Sequence, residues 1–408
     1  MKRRMKMKRP TLFMSRGMGH MSRRGLMWVA FLVALAVTQT ASADMFSVSS
    51  SPLSDFVIFS GGGLSVSGGN ETAIGGHTAI TGNIGSNQDL LQLGNPLTGY
   101  PAQLNGSAYA GGGLTFGQDL TVGSSAGPLR EVVANGAASI GGRANIYGNL
   151  YGNSVTLGQD TGIRKAGGVG GNVQYTTSYT PSTAVVEGSV SSPSTKTFNL
   201  ITMPAATVFT AGGANQTVPT GQGNSLTLAP GTYGALATSS QNQAVILSSG
   251  NYYFNSIATQ GGFDLKIDLT SGNPISIYVV GNAAFAGRQT LLVKGAGTGG
   301  AFVPIDQAPQ LASLIYQETH ARFTMTGGLE ETHNIWGGTL YASLLEGTSA
   351  EISIGQYTDW YGAAYAFDSF DTADHGTWSH VSVVPVPAAV LLGFLGLGVA
   401  GLKLRKLV

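Results

Sequence analysis

The sequence predicts an all-β protein whose body is a right-handed parallel β-helix, a β-solenoid. Three observations carry that prediction. Glycine supplies 61 of the 408 residues and comes with Ser, Thr, Asn and β-branched residues, which make poor helices and good short strands joined by tight turns. A unit recurs: residues 73–85 read AIGGHTAITGNIG and residues 139–151 read SIGGRANIYGNLY. Ile74 aligns with Ile140, Ile80 with Ile146, Gly82-Asn83 with Gly148-Asn149 and Ile84 with Leu150, at a constant offset of 66 (140 − 74). A shorter copy is Val169-Gly170-Gly171-Asn172-Val173. Finally, strands alternate cleanly, with Phe263, Leu265, Ile267 and Leu269 on one face and Asp264, Lys266 and Asp268 on the other.

The repeated unit has a physical reading. Aliphatics at i and i+4 share one side of an extended chain, and the Gly-Asn pair between them tolerates left-handed backbone angles, so the chain bends there. Short strands, regular corners and stacked aliphatics let each coil bury its face against the next, with Asn side chains able to ladder along the stem. Ordinary hairpins in a β-sandwich are the alternative, because Gly-Asn also serves hairpin turns.

Taken in order, residues 1–43 read as a signal peptide: a basic stretch, an apolar run over 25–37 and the small-x-small site Ala41-Ser42-Ala43, with cleavage expected after Ala43. Residues 44–178 form the first solenoid region. Over 179–215, Ser, Thr and Pro dominate, and Pro181, Pro193 and Pro204 interrupt any strand, which reads as a linker or an excursion from the stem. Strands resume over 216–382, with one helix expected at 306–316, ending in an exposed Glu318. Trp336, Tyr341, Trp360, Tyr361 and Tyr365 are expected to pack in the core and to cap the end of the stem; a sugar-stacking surface is the alternative. Residues 383–408 contain a Val384-Pro385-Val386-Pro387 box and an apolar run that includes Ala388, Leu391, Leu392, Phe394, Leu395, Leu397, Val399 and Leu402. They end in the basic stop Lys403, Arg405 and Lys406. The run is uncharged and close to spanning length, so a single transmembrane helix is expected, with its cations in the cytoplasm.

Composition narrows the function. The net charge is +1, but the basic residues crowd into the two terminal segments and leave a body that is acidic and sparsely charged, a poor partner for nucleic acid. Cysteine is absent, which excludes disulfides, thiol catalysis and cysteine metal sites. Catalysis on a solenoid needs converging carboxylates, and Asp264 with Asp268, or Glu330-Glu331 with His333, read better as a solvated strand face and a polar turn. Asp368, Asp371 and Asp374 are a weak calcium candidate that lacks the glycine and terminal glutamate of an EF-hand loop. No cofactor is expected. Thr78, Thr81, Thr115, Thr121 and Thr156 fall on predicted strands, and a ranked threonine face would suit ice binding.

The box, apolar run and basic tail together resemble the PEP-CTERM sorting signal in its V-P-x-P-A-A variant, departing from the common form at Val386. That resemblance implies export, transient membrane anchoring, cleavage by an exosortase-type enzyme and delivery to the cell surface or extracellular matrix, often alongside exopolysaccharide. A plain C-terminal anchor is the alternative. The Ala-Ile-Gly-Gly and Ile-x-Gly-Asn-Ile units resemble the choice-of-anchor A module and the Ile-Thr-Gly-Asp-Ile-Gly run of bacterial ice-binding solenoids, with Asn83 where Asp is usual. Trp336-Gly337-Gly338-Thr339-Leu340-Tyr341-Ala342 is similar to a segment of bacterial surface proteins. These resemblances imply a surface-displayed, non-catalytic body with a structural or adhesive role in the envelope or matrix. A carbohydrate-binding or carbohydrate-active protein is the first alternative and an ice-binding protein the second.

Overall fold

In the computed structural model, residues 53–62, 72–74, 77–93, 101–345, 349–373 and 375–381 are described. The expected signal peptide, sorting box, membrane anchor and basic stop, together with Asp374, lie outside them. The described residues belong to one compact unit, Asp44–Val408. They are all-β, and almost every pairing is parallel, as in a solenoid. Each coil carries three short strands, one on each of three faces, here called A, B and C in chain order.

The 66-residue offset has a simple structural meaning: it spans three coils. Ile74 and Ile140 sit in one column on face B through Leu93 and Phe116. Ile84 and Leu150 sit in one column on face A through Ala108 and Val132. The alternation also appears as read: along Phe263–Asp268, buried Phe263, Leu265 and Ile267 alternate with half-buried Asp264, Lys266 and Asp268. Asn149 Oδ1 accepts hydrogen bonds from the Asn172 backbone N–H and side-chain amide, both at 3.1 Å, and Asn172 Oδ1 accepts one from the Ser189 N–H at 2.8 Å. This is the corner ladder that the Gly-Asn units suggest, and it gives turn backbone groups the partners that burial demands.

The chain does not stack in sequence order. Its first coil (Phe56–Ser60, Thr72–Ile74, Ala79–Thr81) lies on its last (Thr358–Ala366, Phe370–Thr372, Thr377–Ser379). The register is complete on every face: Ile58 pairs with Ala364, Thr72 with Phe370 and Ile80 with Trp378. From this seam the N-terminal coils continue one way, ending at Val190–Ser191. The C-terminal coils begin at the far end, at Gln216–Thr217 and Ser225–Thr227, and wind back to the seam. The two sequence regions are thus two windings of one stem. Tyr365 Oη donates to the Phe56 carbonyl at 3.1 Å across the seam, and the His77 and His375 rings stack there at 4.5 Å.

Two expectations fail here. The helix expected at 306–316 is replaced by two short 3-10 turns, Ile305–Gln307 and Pro309–Leu314, running into the strand Ile315–Thr319. The ladder position of Ile315, paired with Ile275, outweighs local helix preference. The aromatics do not cap an end either, because the coil that carries Trp360 and Tyr365 lies at mid-stem beneath the first coil. Trp336 and Trp360 fill the core, while Tyr341 and Tyr365 belong to a second apolar cluster outside the stem wall.

Candidate functional site

Face A carries a ladder of large outward side chains. Its register runs Tyr253–Tyr278–Glu318–Tyr341–Tyr365–Phe59, then through Gly85 to Tyr109, Val133 and Tyr151. An apolar sheet face of this kind must be covered, and residues 192–215 cover it. The excursion expected over 179–215 is shorter than that: residues 179–191 still supply the stem strands Val185–Val186 and Val190–Ser191 and the end of Val173–Thr180, because register on the ladder outweighs their Ser/Thr/Pro composition, and the rest is a strap that returns along the stem from the last N-terminal coil to the first C-terminal one. Phe198, Ile201 and Met203 are buried against Phe56, Phe59 and Tyr365, and Phe209 packs on Tyr278 at 5.1 Å and on His320 at 4.2 Å.

Polar clamps fix the strap's depth. Asn135 binds both backbone groups of Phe198, each at 2.8 Å. Asn87 does the same for Ile201, at 2.6 and 2.7 Å. In the coil between them the equivalent corner is Gly111, where a side chain would collide with Leu200. Lys196 pairs with Glu131, and Tyr341 Oη donates to the Pro204 carbonyl. Glu318 accepts from the Thr207 N–H at 2.8 Å. Glu318 is therefore buried, 1% exposed, rather than the exposed end of a helix. Replacing Asn87 or Asn135 with alanine orphans two strap backbone groups, so each change is expected to cost about 1–3 kcal/mol and to make the strap cleavable. Limited proteolysis mapped by mass, beside denaturant midpoints, reads both effects.

Face B is the opposite in character. Its strands run two to four residues, and in most coils one residue points outward. In the C-terminal winding the outward row is Thr217, Ala237, Ala258, Ala284, Thr324, Ser353 and Asp371. Past the seam it passes the register positions Ala73 and Leu91 and continues as Thr115, Ser139, Thr156 and Thr180. Behind it, Phe323, Ile352, Leu114 and Val155 are buried. The result is a narrow row of small hydroxyl and methyl groups repeating once per coil, about 4.8 Å apart, with one exposed carboxylate, Asp371, among its described side chains.

The threonines singled out from sequence divide between faces. Thr115 and Thr156 share the face B row with Ser139 between them. Thr81 and Thr121 lie in neighbouring rows of face C, and Thr78 is buried at the corner. Serine and alanine in the same register positions complete the row, so threonine spacing alone does not reveal it. Among the acidic candidates, Asp368 is buried and its Oδ2 accepts from the Ala350 N–H at 2.7 Å, while Asp371 points outward from face B. Asp264 and Asp268 lie on face C, where Asp268 pairs with Lys294 at 3.3 Å. Glu330 and Glu331 lie in a turn, and His333 Nδ1 lies 3.0 Å from Asp359.

No family model and no curated protein matches the chain. Among solved structures it is similar to an ice-binding protein from an Antarctic Flavobacteriaceae bacterium. The identity is 11%, covering 80% of this chain and 97% of that one, at a TM-score of 0.23. At that distance, function has to be argued from this chain's own surfaces.

Proposed function

We propose that the chain is an exported, transiently membrane-anchored surface protein with a structural or adhesive role, and that face B is its contact with a repeating, hydrogen-bonding polymer such as extracellular polysaccharide. The observation that supports this is the in-register row of small side chains on face B, one per coil. The hydroxyls of Thr324 and Ser353 below the seam and of Thr115, Ser139, Thr156 and Thr180 above it offer donors and acceptors at one-coil spacing on a parallel ladder, so a periodic partner gains from several successive coils at little ordering cost. Export, anchoring and processing by an exosortase-type enzyme rest on the terminal motifs alone.

The test is co-sedimentation of the full-length protein with matrix polysaccharide, comparing Thr156→Lys with a face C control, Thr121→Lys. The first is expected to weaken binding at least about tenfold, equivalent to about 1.4 kcal/mol, while the control leaves it near wild type. Equal losses, or no binding by the wild type, would sink the reading. A second reading, ice binding, is favoured by one feature: the row consists largely of Ala, Ser and Thr and is nearly free of charge. Thermal hysteresis in the wild type that Thr156→Lys abolishes would move the assignment there.

A further inference from the structure

We propose that the two ends of the stem are complementary docking surfaces for a second copy of this chain, so that copies stack head to tail. The inference does not rest on the face B reading. At the upper end, residues 178–180 of the strand Val173–Thr180, together with Val185–Val186 and Val190–Ser191, have a stem partner on one side only among the described residues. At the lower end the same holds for Gln216–Thr217 and Ser225–Thr227. Strand edges left open in this way are templates for pairing.

Three observations select a second copy as the occupant. All three columns climb the stem in one direction through both windings, so the open edges at the two ends are the two complementary sides of one parallel ladder. The seam already shows a coil docking on a coil that does not adjoin it in sequence, in register on every face. A neighbouring molecule would continue that same ladder. The exposed apolar residues also fit. Val185 and Val190 are 49% and 43% exposed, and Leu129 and Val169 of the preceding coils are 38% and 60% exposed, gathering aliphatic surface near the upper end. The columns predict the contacts. Val190 extends the column whose lowest member is Gly231, and Val185 extends the one that begins at Ser225. A heterologous contact of this kind does not close on itself, and it gives rods rather than dimers.

The test is sedimentation velocity of the full-length protein in detergent over a concentration series, with electron microscopy of the same samples. The expected result is a ladder of species growing with concentration and appearing as rods one stem wide. The double variant Val185→Lys/Val190→Lys is expected to remain a single-copy species with an unchanged far-ultraviolet spectrum, since both sites are exposed. A wild type that stays single-copy throughout, side-by-side clusters instead of rods, or association that the double variant leaves unchanged would each overturn the proposal.

Discussion

Trp360→Ala is expected to lower the unfolding free energy by about 3–5 kcal/mol, the range for emptying a buried tryptophan site. Its side chain is fully buried in the middle of a column in which Trp336, Trp360 and Trp378 occupy one register position on successive coils. Trp378 stacks on it at 5.4 Å and Phe323 meets it edge-on at 6.2 Å. These neighbours are held by parallel ladders on both sides, so they cannot collapse into the space, and the cavity remains. The loss is also expected to travel. Trp378 pairs with Ile80 across the seam, so the amides of Ala79–Thr81 should lose hydrogen-exchange protection with those of Thr377–Ser379. Urea denaturation gives the size and hydrogen exchange gives the route. Tyr361→Ala, one residue on but outward-facing, is expected to cost less than about 1.5 kcal/mol. Equal losses for the two would show that the tryptophan column is not the core of the seam.

That column also marks how far the sequence could be read. The alternation in Phe263–Asp268 and the Ile-x-Gly-Asn units are local periodicities, and local periodicity is set by which side chains face the core. They therefore reveal coils, and a 66-residue offset that is three coils long. The seam leaves no such trace. It joins Ile58 to Ala364 and Ile80 to Trp378, residues roughly 300 apart, and neither partner has an unusual local pattern. The strap was visible as a change in composition but not as a cover, because the groove beneath it is assembled from alternate residues of strands in both windings. Glu318 was misplaced for the same reason. Read locally, it ends the helix expected at 306–316; in register, it falls between Tyr278 and Tyr341. The face B row was half legible: the threonines stood out, whereas serine and alanine take the same register position without any signal of their own.

Glu318 is the residue on which the strap's lower half is expected to depend most. It is one of very few buried acidic side chains among the described residues. Oε1 accepts from the Thr207 N–H at 2.8 Å and from Ser343 Oγ at 2.7 Å, Oε2 accepts from Tyr316 Oη at 2.8 Å, and His320 Nε2 lies 3.7 Å away. Burial pushes this carboxyl up, but His320 and the donors from Thr207 and Ser343 more than offset it and hold the group below the ordinary carboxylate range. Burial, and then the Glu318 charge, push the Tyr316 phenol well up, so it stays a donor. Glu318→Ala strips three donors, those of Thr207, Ser343 and Tyr316, of their acceptor at a buried site and is expected to cost about 3–5 kcal/mol, with the strap opening to protease near Thr207. The sign of the pH dependence follows from linkage. A carboxyl whose folded pKa lies below its unfolded value contributes stability that is present above the unfolded value, near 4.5, and is lost as pH falls through the folded one. The gap between wild type and Glu318→Gln should therefore be widest near neutral pH and narrow below about pH 4. Denaturant midpoints for the two proteins across pH 3–8 decide the matter. A gap that does not change with pH would mean that Glu318 acts by shape alone, and a cost below about 1 kcal/mol for Glu318→Ala would mean that the strap is held by its apolar contacts without it.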